Sequence, residues 1–138
     1  MRILGIDYGS KRIGLSVCDE LGITAQGLTT ITRKNREHDM EAIGRFIKEY
    51  SVEKIVIGFP LRLDGTEGIQ CEKVSGFARI LESRFSIPVI KWDETLSTKE
   101  AEGVLIEANM NRKKRKKVVD KVAAVIILRE YLDRVENR

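Results

Sequence analysis

The apolar pattern of this 138-residue chain changes near residue 35, from successive strands to alternating helix and strand, and few folds accommodate that change. Before it, short runs rich in β-branched residues cover residues 2–7, about 12–18 and about 25–33, with short polar turns between them. Connections that short join antiparallel neighbours, so the chain should open with a three-stranded meander. After it the spacing becomes helical, and Met40, Ile43, Phe46, Ile47 and Tyr50 predict a helix over about 39–50. A strand at Ile55–Gly58 follows, then a loop over 59–68 punctuated by Pro60, Asp64-Gly65 and Gly68. Val74, Phe77, Ile80, Leu81 and Phe85 predict a second helix from about Ile69 to Arg84, and Pro88–Trp92 a fifth strand ending at Asp93-Glu94. Ser97 and Glu100 form a capping box for a helix to about Ala108. A basic loop over 109–117 and a last helix over about 118–135 complete the chain. Strands joined through helices run parallel. The expectation is an α/β fold in a single domain, 1–138: a five-stranded mixed sheet, antiparallel first and then helix-connected and parallel, flanked by helices.

The first hairpin carries the first candidate functional group. Alternation puts Ile3, Gly5 and Asp7 on one face of its first strand, and Leu4, Ile6 and Tyr8 on the other. Gly14 and Ser16 share a face of the second strand and lay a floor of small residues near the acid, where a nucleic-acid backbone has room to approach. Taken alone, Asp7 reads equally as a turn former or as an active-site acid. Two further acidic positions favour the second reading. Asp93-Glu94 also closes a strand, and ligand sites of open α/β sheets lie at such ends. Asp120 shares a helical face with Ala124, Ile127 and Tyr131, away from the wet side with Lys121, Arg129 and Arg134. Three carboxylates converging without basic partners repel, and a hard divalent cation with oxygen ligands relieves that repulsion. Two such ions about 3.5–4 Å apart can activate water and stabilise the leaving oxygen of a phosphodiester. The chain's one histidine, His38, lies outside these motifs and reads as a surface residue near a helix start. That argues against a Ser-His-Asp or histidine-ligated zinc site.

Charge is distributed unevenly. The net charge is +4, but Arg112, Lys113, Lys114, Arg115, Lys116 and Lys117 supply six positive charges in succession. Such a run is equally a phosphate-contacting patch or a solvated segment with no partner. No run of 18 apolar residues predicts a membrane span, and the chain opens on a strand rather than on a signal peptide. Cys18 and Cys71 have neither zinc-site nor disulfide-framework spacing, so the cytoplasm is the expected compartment.

Four motifs then combine: Ile6-Asp7-Tyr8-Gly9-Ser10-Lys11-Arg12-Ile13-Gly14-Leu15; Gly58-Phe59-Pro60-Leu61 with Asp64-Gly65-Thr66-Glu67; Asp93-Glu94-Thr95-Leu96-Ser97-Thr98; and Arg115-Lys116-Lys117-Val118-Val119-Asp120-Lys121-Val122-Ala123-Ala124. In this order, across nearly the whole chain, they resemble the YqgF-type family of pre-16S ribosomal RNA nucleases, also described as Holliday-junction-resolvase-like. The resemblance implies a ribonuclease H-like fold and a nuclease dependent on Mg²⁺ or Mn²⁺, with two ions, maturing the 5′ end of 16S ribosomal RNA. The family's acids fall on Asp7, Glu94 and Asp120, with Asp93 beside Glu94. Two positions depart from it: Thr95 stands where the family commonly has arginine, and the Gly-Leu-Pro loop reads Gly-Phe-Pro. In the resulting scheme Lys11 and Arg12 steady the scissile phosphate, the Pro60–Gly68 loop forms a wall or lid, and residues 112–117 track the backbone.

Three rivals remain at this level. A structure-selective DNA nuclease would cut branched DNA with the same acids, as a dimer spanning a four-way junction, so monomer and homodimer both stay open. A non-catalytic RNA-binding ribosome-assembly factor would use the basic run alone. Asp-Tyr-Gly-Ser-Lys also looks like the phosphate loop of actin-like ATPases, but those clamp ATP between two such domains and need well over ~250 residues.

Overall fold

Strand alternation sorts the apolar residues onto two faces, and each face recruits its own helices. The computed structural model describes residues 2–60, 68–93 and 112–136, with side chains of the last segment described from Val119 onward. Strands β1 (Arg2–Tyr8), β2 (Arg12–Cys18) and β3 (Ala25–Thr32) precede α1 (Arg36–Glu49), β4 (Val52–Phe59), α2 (Ile69–Phe85) and β5 (Val89–Asp93). Helix α3 (Arg112–Tyr131) ends in a π-helical turn, Leu132–Glu136. The sheet order is β3-β2-β1-β4-β5, with β1, β2 and β3 antiparallel and β1, β4 and β5 parallel. This is the mixed sheet expected from the change of pattern.

Leu4, Ile6, Ile13, Leu15, Ile55 and Ile57 pack on one face with Met40 and Ile43 of α1 and Val74, Phe77 and Leu81 of α2. On the other face, Ile3, Cys18 and Val56 meet Ile127, Leu128 and Tyr131 of α3 and the adjoining Leu132. The middle strand β1 is therefore buried on both sides, as a strand covered by helices on both faces must be. Both cysteines are buried as thiols, and the Cys18 sulfur accepts the Ile3 N–H at 3.1 Å. Burial pushes the Cys18 thiol above its ordinary pKa. Among the described residues no helix is long and apolar enough to cross a membrane.

Three boundaries differ from the sequence expectation. Helix α1 begins at Arg36, not Asp39, because the Asn35 side chain accepts the His38 N–H at 2.8 Å and caps the first turn. Asp39 is thereby carried into the fold and buried against His38 and Arg33, with His38 half-buried at the helix start. Strand β4 begins at Val52; the polar Glu53 and Lys54 mask a stretch that pairs with β1. Helix α3 begins at Arg112, so the basic run 112–117 is helical rather than a loop. Lysine and arginine are good helix formers, and the sheet-packed remainder of α3 supplies the cooperativity that an isolated charge run lacks. The capping box at Ser97, the helix expected after it and loop residues 61–67 lie outside the described residues.

The π-helical turn is tied to β4. Lys54 Nζ donates to Glu136 Oε1 at 2.8 Å and to the Tyr131 hydroxyl at 3.1 Å, and that hydroxyl donates to Glu136 Oε1 at 2.8 Å. Lys54 first, then Tyr131, holds the Glu136 carboxyl below its ordinary pKa. A carboxylate depressed in the folded state stabilises above its unfolded pKa and loses that contribution as pH falls through the folded one. Glu136→Gln is therefore expected to cost up to ~1 kcal/mol at pH 7 and almost nothing near pH 3. Urea unfolding at the two pH values checks this.

Candidate active site

Small residues decide where α3 lies. Gly5 of β1, Ser16 of β2 and Gly27 of β3 pair in one row across the sheet, and Asp7 and Gly14 pair in the next. A methyl group at Gly5 would approach Leu128 Cβ to 2.9 Å and the Ala124 carbonyl oxygen to 3.0 Å, and one at Gly27 would lie 2.8 Å from Lys121 Cγ. At Gly14 it would fall on the backbone carbonyl of Asp120. Ser16, fully buried, donates its hydroxyl to the Ala124 carbonyl at 2.7 Å. The small-residue floor is thus the seat of α3. That corrects the expectation that it leaves room for a nucleic-acid backbone.

This seat brings two of the three sequence-derived acids to one place. Asp7, only 6% exposed, stands opposite Gly14, and the backbone of Asp120 rests on Gly14. The inward stripe of α3 is also as expected, with Ala124, Ile127 and Tyr131 buried and the Asp120 side chain 14% exposed. The carboxylates are not without basic partners, however. Arg12 shares the β2 face of Gly14 and Ser16, and its Nε donates to Asp120 Oδ2 at 2.7 Å. The parity of positions 12, 14 and 16 gives the face of Arg12 but not its partner. Lys11 is exposed at the hairpin tip.

Asp93 ends β5 opposite Phe59 of β4 and is exposed. Because β1, β4 and β5 are parallel, Asp7 and Asp93 occupy the same rim, with β4 between their strands. Glu94 is the next residue and lies outside the described ones, as do Thr95 and the side chains of the basic run. Among the described residues no set of three or more histidine, cysteine or acidic side chains gathers as a metal centre. The two described acids do fit a hard cation in donor chemistry: both offer carboxylate oxygens at the covered rim of the sheet. Sequence reasoning missed Arg33, which donates to the carbonyls of Gly9 at 2.9 Å and Ser10 at 3.2 Å and holds the hairpin tip. No periodicity announces a contact made to backbone carbonyls.

A family model described as "RuvX: Holliday junction resolvase" matches residues 1–134. The chain belongs to the RuvX family. Family members of known sequence are similar along nearly the whole chain. One from Syntrophus aciditrophicus (strain SB), named "Putative pre-16S rRNA nuclease", is 61% identical over 99% of this chain and 91% of its own length. Another of the same name, from Geobacillus sp. (strain WCH70), is 52% identical over 96% of this chain and 98% of its own. Among solved structures, Thermus thermophilus RuvC in complex with a Holliday junction substrate aligns with a TM-score of 0.56 at 15% identity, covering 96% of this chain and 93% of that one. Fowlpox virus resolvase with Holliday junction DNA aligns with a TM-score of 0.60 at 14% identity, covering 96% and 97%. At such identities the likeness is one of fold. The RuvX chain shares the ribonuclease H-like architecture of these resolvases.

Proposed function

We propose that this RuvX-family protein is a nuclease that hydrolyses phosphodiester bonds in RNA, with pre-16S ribosomal RNA as substrate and its 5′ end as the processed site. The observation that carries this is the placement of Asp7 opposite Gly14 with the backbone of Asp120 resting on the same Gly14. A buried carboxylate on a central strand and a second delivered by a helix seated on that strand suit an oxygen-rich site for a divalent ion. The names borne by relatives at 61% and 52% identity support RNA as the substrate class.

In this reading Asp7, Glu94 and Asp120 hold Mg²⁺ or Mn²⁺, two ions in all. The metal would supply activation of water and neutralisation of charge on the phosphate. The chain's own residues do the rest. Burial on β1 fixes Asp7 in position, and Arg12 orients Asp120 through Oδ2. Lys11 extends from the hairpin tip toward a phosphate, and residues 112–117, in the first turns of α3, add positive charge along the strand.

A second reading has its own support. The family description names a Holliday junction resolvase, and two resolvases share the fold. The chemistry at the phosphate is the same for either sugar, so substrate comparison separates the two. The purified protein is expected to cut a pre-16S ribosomal RNA fragment with Mg²⁺ or Mn²⁺ and to leave a synthetic four-way DNA junction intact. Cleavage of the junction with intact RNA would replace the RNA reading by the resolvase one.

A further inference from the structure

On the sheet face opposite α3, a cleft of about 710 Å³ opens between the β1–β2 hairpin tip, the β3–α1 junction and the middle of α2. Four exposed cations line it: Lys11, Lys34, Arg36 and Lys73. None of the four has an ion pair among the described residues. We propose that this cleft binds the sugar-phosphate backbone of the nucleic-acid substrate beyond the cleavage point. The proposal deepens the nuclease reading and rests on it for the nature of the strand.

The cleft has a built floor. Arg33 holds the Gly9 and Ser10 carbonyls, lies 4.5 Å over the Tyr8 ring and approaches Asp39 at 3.6 Å. Tyr8 in turn stacks on Phe77 with ring centroids 4.1 Å apart. Arg33 and this ring pair are therefore engaged in structure, and the Tyr8 ring lies between a guanidinium and a second ring. The four remaining cations face the opening. The lining includes two acids, Asp39 and Glu72, and Asp39 is already occupied by Arg33 and His38. A concave wall with a surplus of unpaired cations focuses positive potential more than the same charges on a convex surface would.

The layout favours a polyanion over a single small anion. The cations stand on three separate elements around the rim, and no buried positive side chain converges on one point. The cleft borders the strand end that carries the candidate active site: Tyr8 of its lining follows Asp7 in β1 but faces the other side of the sheet, and Lys11 of its lining precedes Arg12 at the hairpin tip. A strand with its scissile phosphate at Asp7 can pass the hairpin tip onto this face.

The test is binding of a fluorescein-labelled single-stranded pre-16S ribosomal RNA fragment, followed by anisotropy at several salt concentrations in EDTA. The variant Lys34→Ala/Arg36→Ala/Lys73→Ala is expected to bind about 10–100-fold more weakly near 0.15 M salt. Its slope of log affinity against log salt should be shallower by about 2, the loss of three single-strand phosphate contacts. A control, Arg45→Ala/Lys48→Ala/Arg79→Ala, removes equal charge from exposed positions outside the cleft and should bind within about threefold of the parent. Equal effects from the two variants would overturn the proposal, as would absence of RNA binding by the parent. Displacement of the RNA by inorganic phosphate at low millimolar concentration would mark a small-anion site and overturn it too. Failure of the nuclease reading is separately visible: a parent that binds RNA through the cleft but never cleaves it removes only that reading. Cleavage by a parent whose binding ignores the cleft removes only the cleft.

Discussion

Gly14→Ala should destabilise this protein by about 3 kcal/mol, a fall in Tm of roughly 10 °C. The added carbon would fall on the main-chain carbonyl of Asp120, with the Lys121 amide nitrogen next nearest at 2.8 Å. Neither is the far end of a flexible side chain, so the whole first part of α3 must lift. The Ser16–Ala124 hydrogen bond and the packing of Ile127 and Leu128 would be strained with it. Asp120 would move away from Asp7, so cleavage should fall in whatever fraction remains folded. Gly76→Ala supplies the contrast. Gly76 lies inside α2, and a methyl there meets nothing within 4 Å. That change should stabilise by about 0.5–1 kcal/mol through helix propensity. Thermal melts of the two variants beside the parent check both signs.

Asp7→Asn should reduce cleavage about a thousandfold or more while Tm shifts by only a few degrees. The substitution keeps shape and volume on a strand whose neighbours Ile6 and Ile3 are essentially inaccessible to solvent. It removes the formal charge from the more buried of the two described acids of the proposed site. If that charge secures metal-derived stabilisation of several kcal/mol, then at about 1.4 kcal/mol per factor of ten the rate loss reaches this size. The same variant should retain RNA binding, because the cationic cleft and the basic segment of α3 are untouched. A loss of cleavage together with a collapsed melt would indicate a packing role for Asp7 instead.

The sheet was legible because its pattern is redundant. Period-2 alternation in β1 and β2, helical spacing in α1 and α2 and the apolar β4 each point to the same mixed topology. Family membership was legible from four motifs in order. Boundaries were harder where polar residues begin an element. Asn35 caps α1 one turn earlier than its apolar stripe suggests, and β4 reaches back past Lys54 because Ile3 pairs with Lys54 and Arg2 with Val52, Glu53 lying at the register shift between them. The basic run concealed the start of α3, since six like charges argue against an isolated helix but do not prevent a packed one from extending. At the site, strand ends and the inward stripe of α3 pointed to Asp7 and Asp120. What single-residue reasoning could not reach was their partnership: Arg12 on Asp120, and Gly5, Ser16 and Gly27 as a seat for α3. Both depend on how a helix distant in the sequence docks, with Arg12–Asp120 and Ser16–Ala124 each 108 positions apart.

The most direct test is single-turnover cleavage of an end-labelled pre-16S ribosomal RNA fragment by the parent and by Asp7→Asn, each with Mg²⁺, with Mn²⁺ and with EDTA. The account predicts cleavage by the parent with a divalent ion, none in EDTA, and none by an Asp7→Asn protein that melts like the parent. Cleavage by folded Asp7→Asn at the parent's rate would contradict it.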